Sequence, residues 1–120
     1  MKLKIRLKEP HKEFIDKVIS AHSISDSEKA IHKLIHGILK LNKNDDIFGE
    51  YRCVGDCYSN DHSVDLDMDD VTFSKIKSIF QEYDFDDYET EDEEISKIIR
   101  SMINFSEEED EGTLKDIFQS

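Results

Sequence analysis

KLKIRL, residues 2–7, and VDLDMD, residues 64–69, share one apolar rhythm and carry opposite charge. In the first, Leu3, Ile5 and Leu7 alternate with Lys2, Lys4, Arg6 and Lys8; in the second, Val64, Leu66 and Met68 alternate with Asp65, Asp67 and Asp69. Alternation with a period of two is the signature of a half-buried strand. After the first strand, Pro10 sits where a first helical turn tolerates it. Ile15, Val18 and Ile19 then follow at helical spacing, which predicts a helix over 10–22. Ser25 and Glu28 form an S-x-x-E pattern, the capping box of a second helix. Its apolar stripe is Ile31, Leu34, Ile35, Ile38, Leu39 and Leu41.

The same order returns further along. A shift of 61 residues carries the strand onto Val64, Leu66 and Met68, and the first helix onto Ile76, Ile79 and Phe80, with Phe85 answering Ile24. A shift of 64 carries the second helix onto Ile95, Ile98, Ile99, Met102, Ile103 and Phe105, so three residues are inserted within 86–94. Thr90 and Glu93 supply a second capping pattern there. A recurring supersecondary unit is the mark of duplication. The expected fold is mainly α with a small antiparallel β ribbon, two strand-helix-helix units forming a single-chain pseudo-dimer. The expected divisions are a basic unit at 1–44, a connecting hairpin or linker at 45–61, an acidic unit at 62–105, and an acidic tether with a short amphipathic tail at 106–120. In the connector, Ile47, Phe48, Tyr51 and Val54 are expected to cover the core.

Through KLKIRL and the S-x-S-E-x-x-I stretch at Ser25, Ser27, Glu28 and Ile31, residues 2–41 resemble the ribbon-helix-helix family of DNA-binding proteins. The resemblance implies two strands paired into a ribbon whose outward side chains, here Lys2, Lys4, Arg6 and Lys8, read the major groove. It also implies that amides near Ser25 to Ser27 hold a phosphate. The chain departs from that pattern at Ser23, where a glycine is usual, and departs further in its acidic second copy.

Charge sharpens the contrast. The net charge is -13 over 120 residues. Residues 1–44 carry 10 Lys and Arg against 5 Asp and Glu, whereas residues 45–120 carry 6 against 24. Phosphate binding depends on clustered Lys and Arg, so the second half is unsuited to nucleic acid. Carboxylates spaced along strands and helix ends can instead imitate a duplex's phosphates and occupy a basic groove with fast, salt-sensitive association. Phage anti-restriction and anti-CRISPR proteins and immunity proteins of nuclease toxins share this composition. The expected function is therefore a non-enzymatic regulatory or inhibitory protein, monomer or homodimer, that engages the basic surface of a nucleic-acid-binding protein. The expected contacts are Asp65, Asp67, Asp69, Asp86, Asp87, Glu91, Asp92, Glu93 and Glu94. The alternative is a ribbon-helix-helix regulator or antitoxin that binds DNA through Lys2, Lys4, Arg6, Ser25 and Ser27.

Other chemistry has less support. His32 and His36 lie four apart, as do Cys53 and Cys57, a weak candidate zinc set because C-x-x-x-C is not the usual knuckle. A calcium loop starting at Asp65 or Asp84 fails, since its sixth residue is Asp70 or Glu89 rather than glycine. No phosphate-cradling glycine loop or nucleophile elbow occurs, and no cofactor is expected. No apolar run is long enough for a membrane span, which places the expected site of action in the cytoplasm. Finally, Leu114, Ile117 and Phe118 at helical spacing predict a short helix that docks on the core, a partner-binding tail being the other reading.

Overall fold

The alternation in KLKIRL does make a strand. In the computed structural model, which describes residues 2–50, 62–83 and 90–118, β1 (Lys2–Leu7) pairs antiparallel with β2 (His62–Asp67) as a two-stranded sheet. The register sets Lys2 opposite Asp67, Leu3 opposite Leu66, Lys4 opposite Asp65 and Ile5 opposite Val64. Leu3, Ile5, Leu7 and Leu66 are buried beneath the ribbon, Val64 half-buried, while Lys2, Lys4, Asp65 and Asp67 face water. Met68 is also buried, but it lies past the end of β2. The remainder is mainly helical: α1 (Glu9–His22), α2 (Ser27–Leu41), α3 (Asn44–Glu50), α4 (Asp70–Glu82), α5 (Glu91–Glu107) and α6 (Glu111–Phe118). No helix among the described residues is long and apolar enough to cross a membrane.

An isolated pair of strands is marginal in water, and exposed strand edges invite further pairing. Both edges of this ribbon have helical partners. On β1, the Arg6 amide donates to Ser96 Oγ of α5 at 2.9 Å, and Arg100 Nη1 donates to the Arg6 carbonyl at 2.7 Å. On β2, the Asp67 amide donates to Glu28 Oε2 of α2 at 3.0 Å. Each strand is thus bordered by a helix that belongs, in sequence, with the other strand.

The stripe expected over 95–105 makes α5 the central helix. It packs on β1 and on α1, α2, α3 and α4, and every residue from Ile95 to Ile103 is buried, including Lys97 and Arg100. Ser96, Ser101 and Ser106 fit there because each hydroxyl bonds the carbonyl four residues earlier, satisfying itself within the helix. Thr90 caps α5 as expected, accepting from the Glu93 amide at 3.2 Å.

Four local expectations are corrected. The cap of α2 is Asp26 rather than Ser25: its carboxylate accepts from the Lys29 amide at 2.8 Å, and Ser25 is left exposed in the preceding turn. The connector at 45–61 begins as helix α3, because Ile47 and Phe48 bury completely against the core and an α-turn presents both together. Tyr51 and Val54 lie outside the described residues. Asp69 leaves the ribbon and caps α4 instead, accepting from the Thr72 amide at 2.7 Å. The acidic run after Phe105 is only a short turn, since α5 continues to Glu107 and Asp110 caps α6 through the Thr113 amide at 2.9 Å.

The terminal helix α6 lies on α2, with Ile117 and Phe118 buried. Gly37 makes this close approach possible. A Cβ at that position would stand 2.7 Å from both the Cα and the carbonyl oxygen of Ile117.

Candidate functional site

The outward face of the ribbon forms a shallow concavity of about 490 Å³, lined by Lys2, Leu3, Lys4, Asp65, Leu66 and Asp67, and by Glu28 and Asp92. Period-two alternation puts the four charged strand residues on one side. Glu28 arrives from the first turn of α2 and Asp92 from the first turn of α5. Four carboxylates therefore surround two ammonium groups. Opposite charges across a ribbon contribute about 0.2–1 kcal/mol per pair. Burial of one Leu or Ile contributes about 1.5–3 kcal/mol. The apolar underside therefore holds the ribbon together, and the charges lie on its outer face.

Helix N-termini ordinarily welcome anions, because their first amides are unsatisfied and the helix dipole points its positive end there. Here those positions are already supplied with carboxylates. Asp26 takes the Lys29 amide, and Glu28 extends to the Asp67 amide. The first turn of α5 holds Glu91, Asp92, Glu93 and Glu94. Ser27 opens α2 partly exposed, and neither it nor Ser25 stands in an anion-free setting. A phosphate approaching either helix start would meet acid.

Several expected contact residues come together and others do not. Asp65, Asp67 and Asp92 line one concavity with Lys2 and Lys4. Arg6 is opposite Ser63, not an acid, and is only partly exposed. Glu94 pairs with Lys77 of α4. Asp69 stands apart in the cleft between α2 and α4, lined also by His36, Leu39, Lys40, Val71 and Lys75. The Asp69 carboxyl is held below its ordinary range by the Thr72 amide and hydroxyl, then by His36 and His32 nearby. Asp86 and Asp87 lie outside the described residues. Glu28 was expected to serve its own helix as a capping residue and is instead a member of the face. Its equivalence to Asp92 under the 64-residue shift was the available signal.

His32 and His36 stack on α2 with ring centroids 6.4 Å apart, and His32 Nε2 is 3.8 Å from Glu28 Oε2. Cys53 and Cys57 lie outside the described residues. Among the described residues no group of three or more His, Cys, Asp or Glu side chains is placed to hold a metal ion.

Comparison with protein-family models, with curated proteins and with solved structures finds no match.

Proposed function

We propose that this chain is a small acidic inhibitory or regulatory protein, acting in the cytoplasm without catalysis, whose ribbon face engages the basic surface of a nucleic-acid-binding protein. The observation that carries this reading is the concavity in which Asp65, Asp67, Glu28 and Asp92 outnumber Lys2 and Lys4. In the family that residues 2–41 resemble, the same places, the ribbon's top and the second helix starts, receive DNA. Acid at those places substitutes for phosphate and suits a groove built to hold a duplex.

A duplicated unit folded on itself accounts for this geometry. The cross-strand register centres on Lys4 opposite Asp65, which are equivalents under the 61-residue shift, and Glu28 and Asp92 are equivalents under the 64-residue shift. The helix bordering each strand comes from the other unit, as subunit exchange in a dimer would require. This pseudo-dimer reading also counts against the DNA-binding alternative. That alternative needs β1 to pair with β1 of a second molecule, whereas β1 here has β2 on one side and α5 on the other.

The test is displacement of labelled duplex DNA from a panel of restriction and CRISPR nucleases at about 100 mM salt, where phosphate contacts are strongly salt-dependent. Displacement by the wild-type chain, weakened when Asp65 and Asp67 become asparagine, supports the reading. Direct duplex binding by the chain itself, lost when Lys4 and Arg6 become alanine, overturns it.

A further inference from the structure

A second groove lies between α1 and the α5–α6 corner, about 470 Å³ in volume and lined by none of the ribbon-face residues. On α1, Phe14, Val18 and Ala21 stand at helical i, i+4, i+7 spacing and line it, and Leu114 of α6 faces them. Pro10 begins the α1 wall, so the wall runs for about 16 Å at 1.5 Å per residue, the length of three helical turns. Its side chains are held from behind. Phe118 of α6 packs its ring 6.2 Å from that of Phe14 and stacks 5.7 Å from that of His22.

The rim is acidic. Glu13 stands on the α1 side, and Glu107, Glu109 and Glu111 on the other, against Lys17 and His22. Partial withdrawal from water, and then the neighbouring Glu108, hold the Glu107 carboxyl above its ordinary range. A cation arriving at this rim favours the ionised carboxylate and offsets the repulsion from Glu108.

We infer that this groove is a docking site for a basic amphipathic helix of a partner protein, its apolar stripe seated on Phe14, Ala21 and Leu114 and its Lys or Arg flank against the glutamate rim. An apolar floor running about two turns along α1, from Phe14 to Ala21, selects helix-in-groove recognition over simple charge attraction. The sign of the rim selects a basic helix over an acidic one. The site is separate from the ribbon face, and the two surfaces can be occupied independently.

The experiment titrates the isotopically labelled full chain with an 18-residue Leu/Lys peptide designed as an amphipathic helix, and with a scrambled peptide of the same composition that lacks an apolar stripe. The expected result is amide shift changes concentrated at Phe14, Ala21 and Leu114, with affinity for the scrambled peptide at least about ten-fold lower, a difference of 1.4 kcal/mol. Ala21→Arg, an exposed substitution in the floor, is expected to weaken the designed peptide by a similar factor. Asp65→Asn with Asp67→Asn is expected to leave this binding unchanged, which separates it from the ribbon-face reading. Equal binding of both peptides, shifts spread over the acidic surface, or no binding overturns the inference. So does a concentration-dependent dimer that Ala21→Arg breaks, because the occupant is then a second copy of the chain.

Discussion

Replacing Gly37 by alanine should loosen the terminal helix although it improves the helix it sits in. An exposed interior Gly→Ala change stabilises a helix by about 1 kcal/mol. At Gly37 the new methyl would meet the Cα and carbonyl oxygen of Ile117 at 2.7 Å and its Cγ2 at 2.9 Å. Carbon atoms pack at about 3.5–4.0 Å, and a gap of 0.5–1 Å forfeits a quarter to a half of the contact energy. The obstacle is backbone, so α6 as a whole must retreat. Ile117 and Phe118 are 1% exposed, and their burial contributes about 1.5–3 kcal/mol each. Losing a quarter to a half of that costs about 1–3 kcal/mol, the range seen when cores are overpacked. Gly49 is the control: it is also helical, and nothing lies within 4 Å of where its Cβ would be. Hydrogen exchange of residues 111–118 should therefore accelerate about 5- to 150-fold in Gly37→Ala, with α2 still protected, while Gly49→Ala raises the thermal midpoint and leaves α6 unchanged. If Gly37→Ala behaves like Gly49→Ala in both measurements, α6 is not seated as described and the reasoning fails.

Ser96→Ala removes the acceptor for the Arg6 amide at a covered strand edge; a loss of about 1–3 kcal/mol in urea unfolding is expected, and an unchanged midpoint would mean that water replaces the hydroxyl. Ser23 holds a left-handed conformation, φ 55° and ψ 43°, where α1 ends. Ser23→Gly removes a cost of about 1–2 kcal/mol and adds about 0.4–1 kcal/mol of unfolded-chain freedom, so a net gain of about 0.5–1 kcal/mol should appear in the same assay. Burial holds the His11 imidazole below its ordinary value of 6.5 against the opposing Asn104 hydrogen bond, with Arg100 and Lys8 adding to the depression. Between that lowered value and 6.5 the unfolded chain carries a proton that the fold rejects, so His11's contribution to stability is full above 6.5 and falls on acidification. An NMR titration should place the His11 midpoint below 6.5, and a midpoint at or above it refutes the neutral, buried assignment.

The strands, the long helices and their stripes were legible because each rests on a period that one segment declares by itself. Leu3, Ile5 and Leu7 can share a side only in an extended chain, and Ile95, Ile98, Ile99 and Met102 only on a helix. Caps are legible to within a residue: the T-x-x-E pattern marks Thr90 correctly, while the S-x-x-E pattern points to Ser25, one short of Asp26, which offers an ionised acceptor. Helix α3 was not legible, because a seven-residue helix with two apolar side chains declares no period, and only the waiting core explains the burial of Ile47 and Phe48. The burial of Lys97 and Arg100 was equally hidden. Charge predicts a solvated face, and these side chains are enclosed because β1 and four helices surround α5, a consequence of topology alone. The left-handed turn at Ser23 shows the limit of residue rules in the other direction, since the conformation usual for glycine forms without one.

The members of the ribbon face were half legible for a related reason. Lys2, Lys4, Asp65 and Asp67 follow from alternation and from the pairing of opposite charges, but Glu28 and Asp92 join them only because α2 borders β2 and α5 borders β1. That crossing decides the chemistry of the face. Were α2 not beside β2, Glu28 could not reach the Asp67 amide and would be absent from this face. With the crossing, Glu28 adds to Asp67 and Asp92 adds to the side of Lys4, so even the basic half of the chain contributes an acid to the shared surface. A net charge of -13 keeps a protein soluble wherever it is distributed. Placing carboxylates at both helix starts and along the strand between them gathers part of that charge on one face, and on this the proposed mimicry of a phosphate array depends.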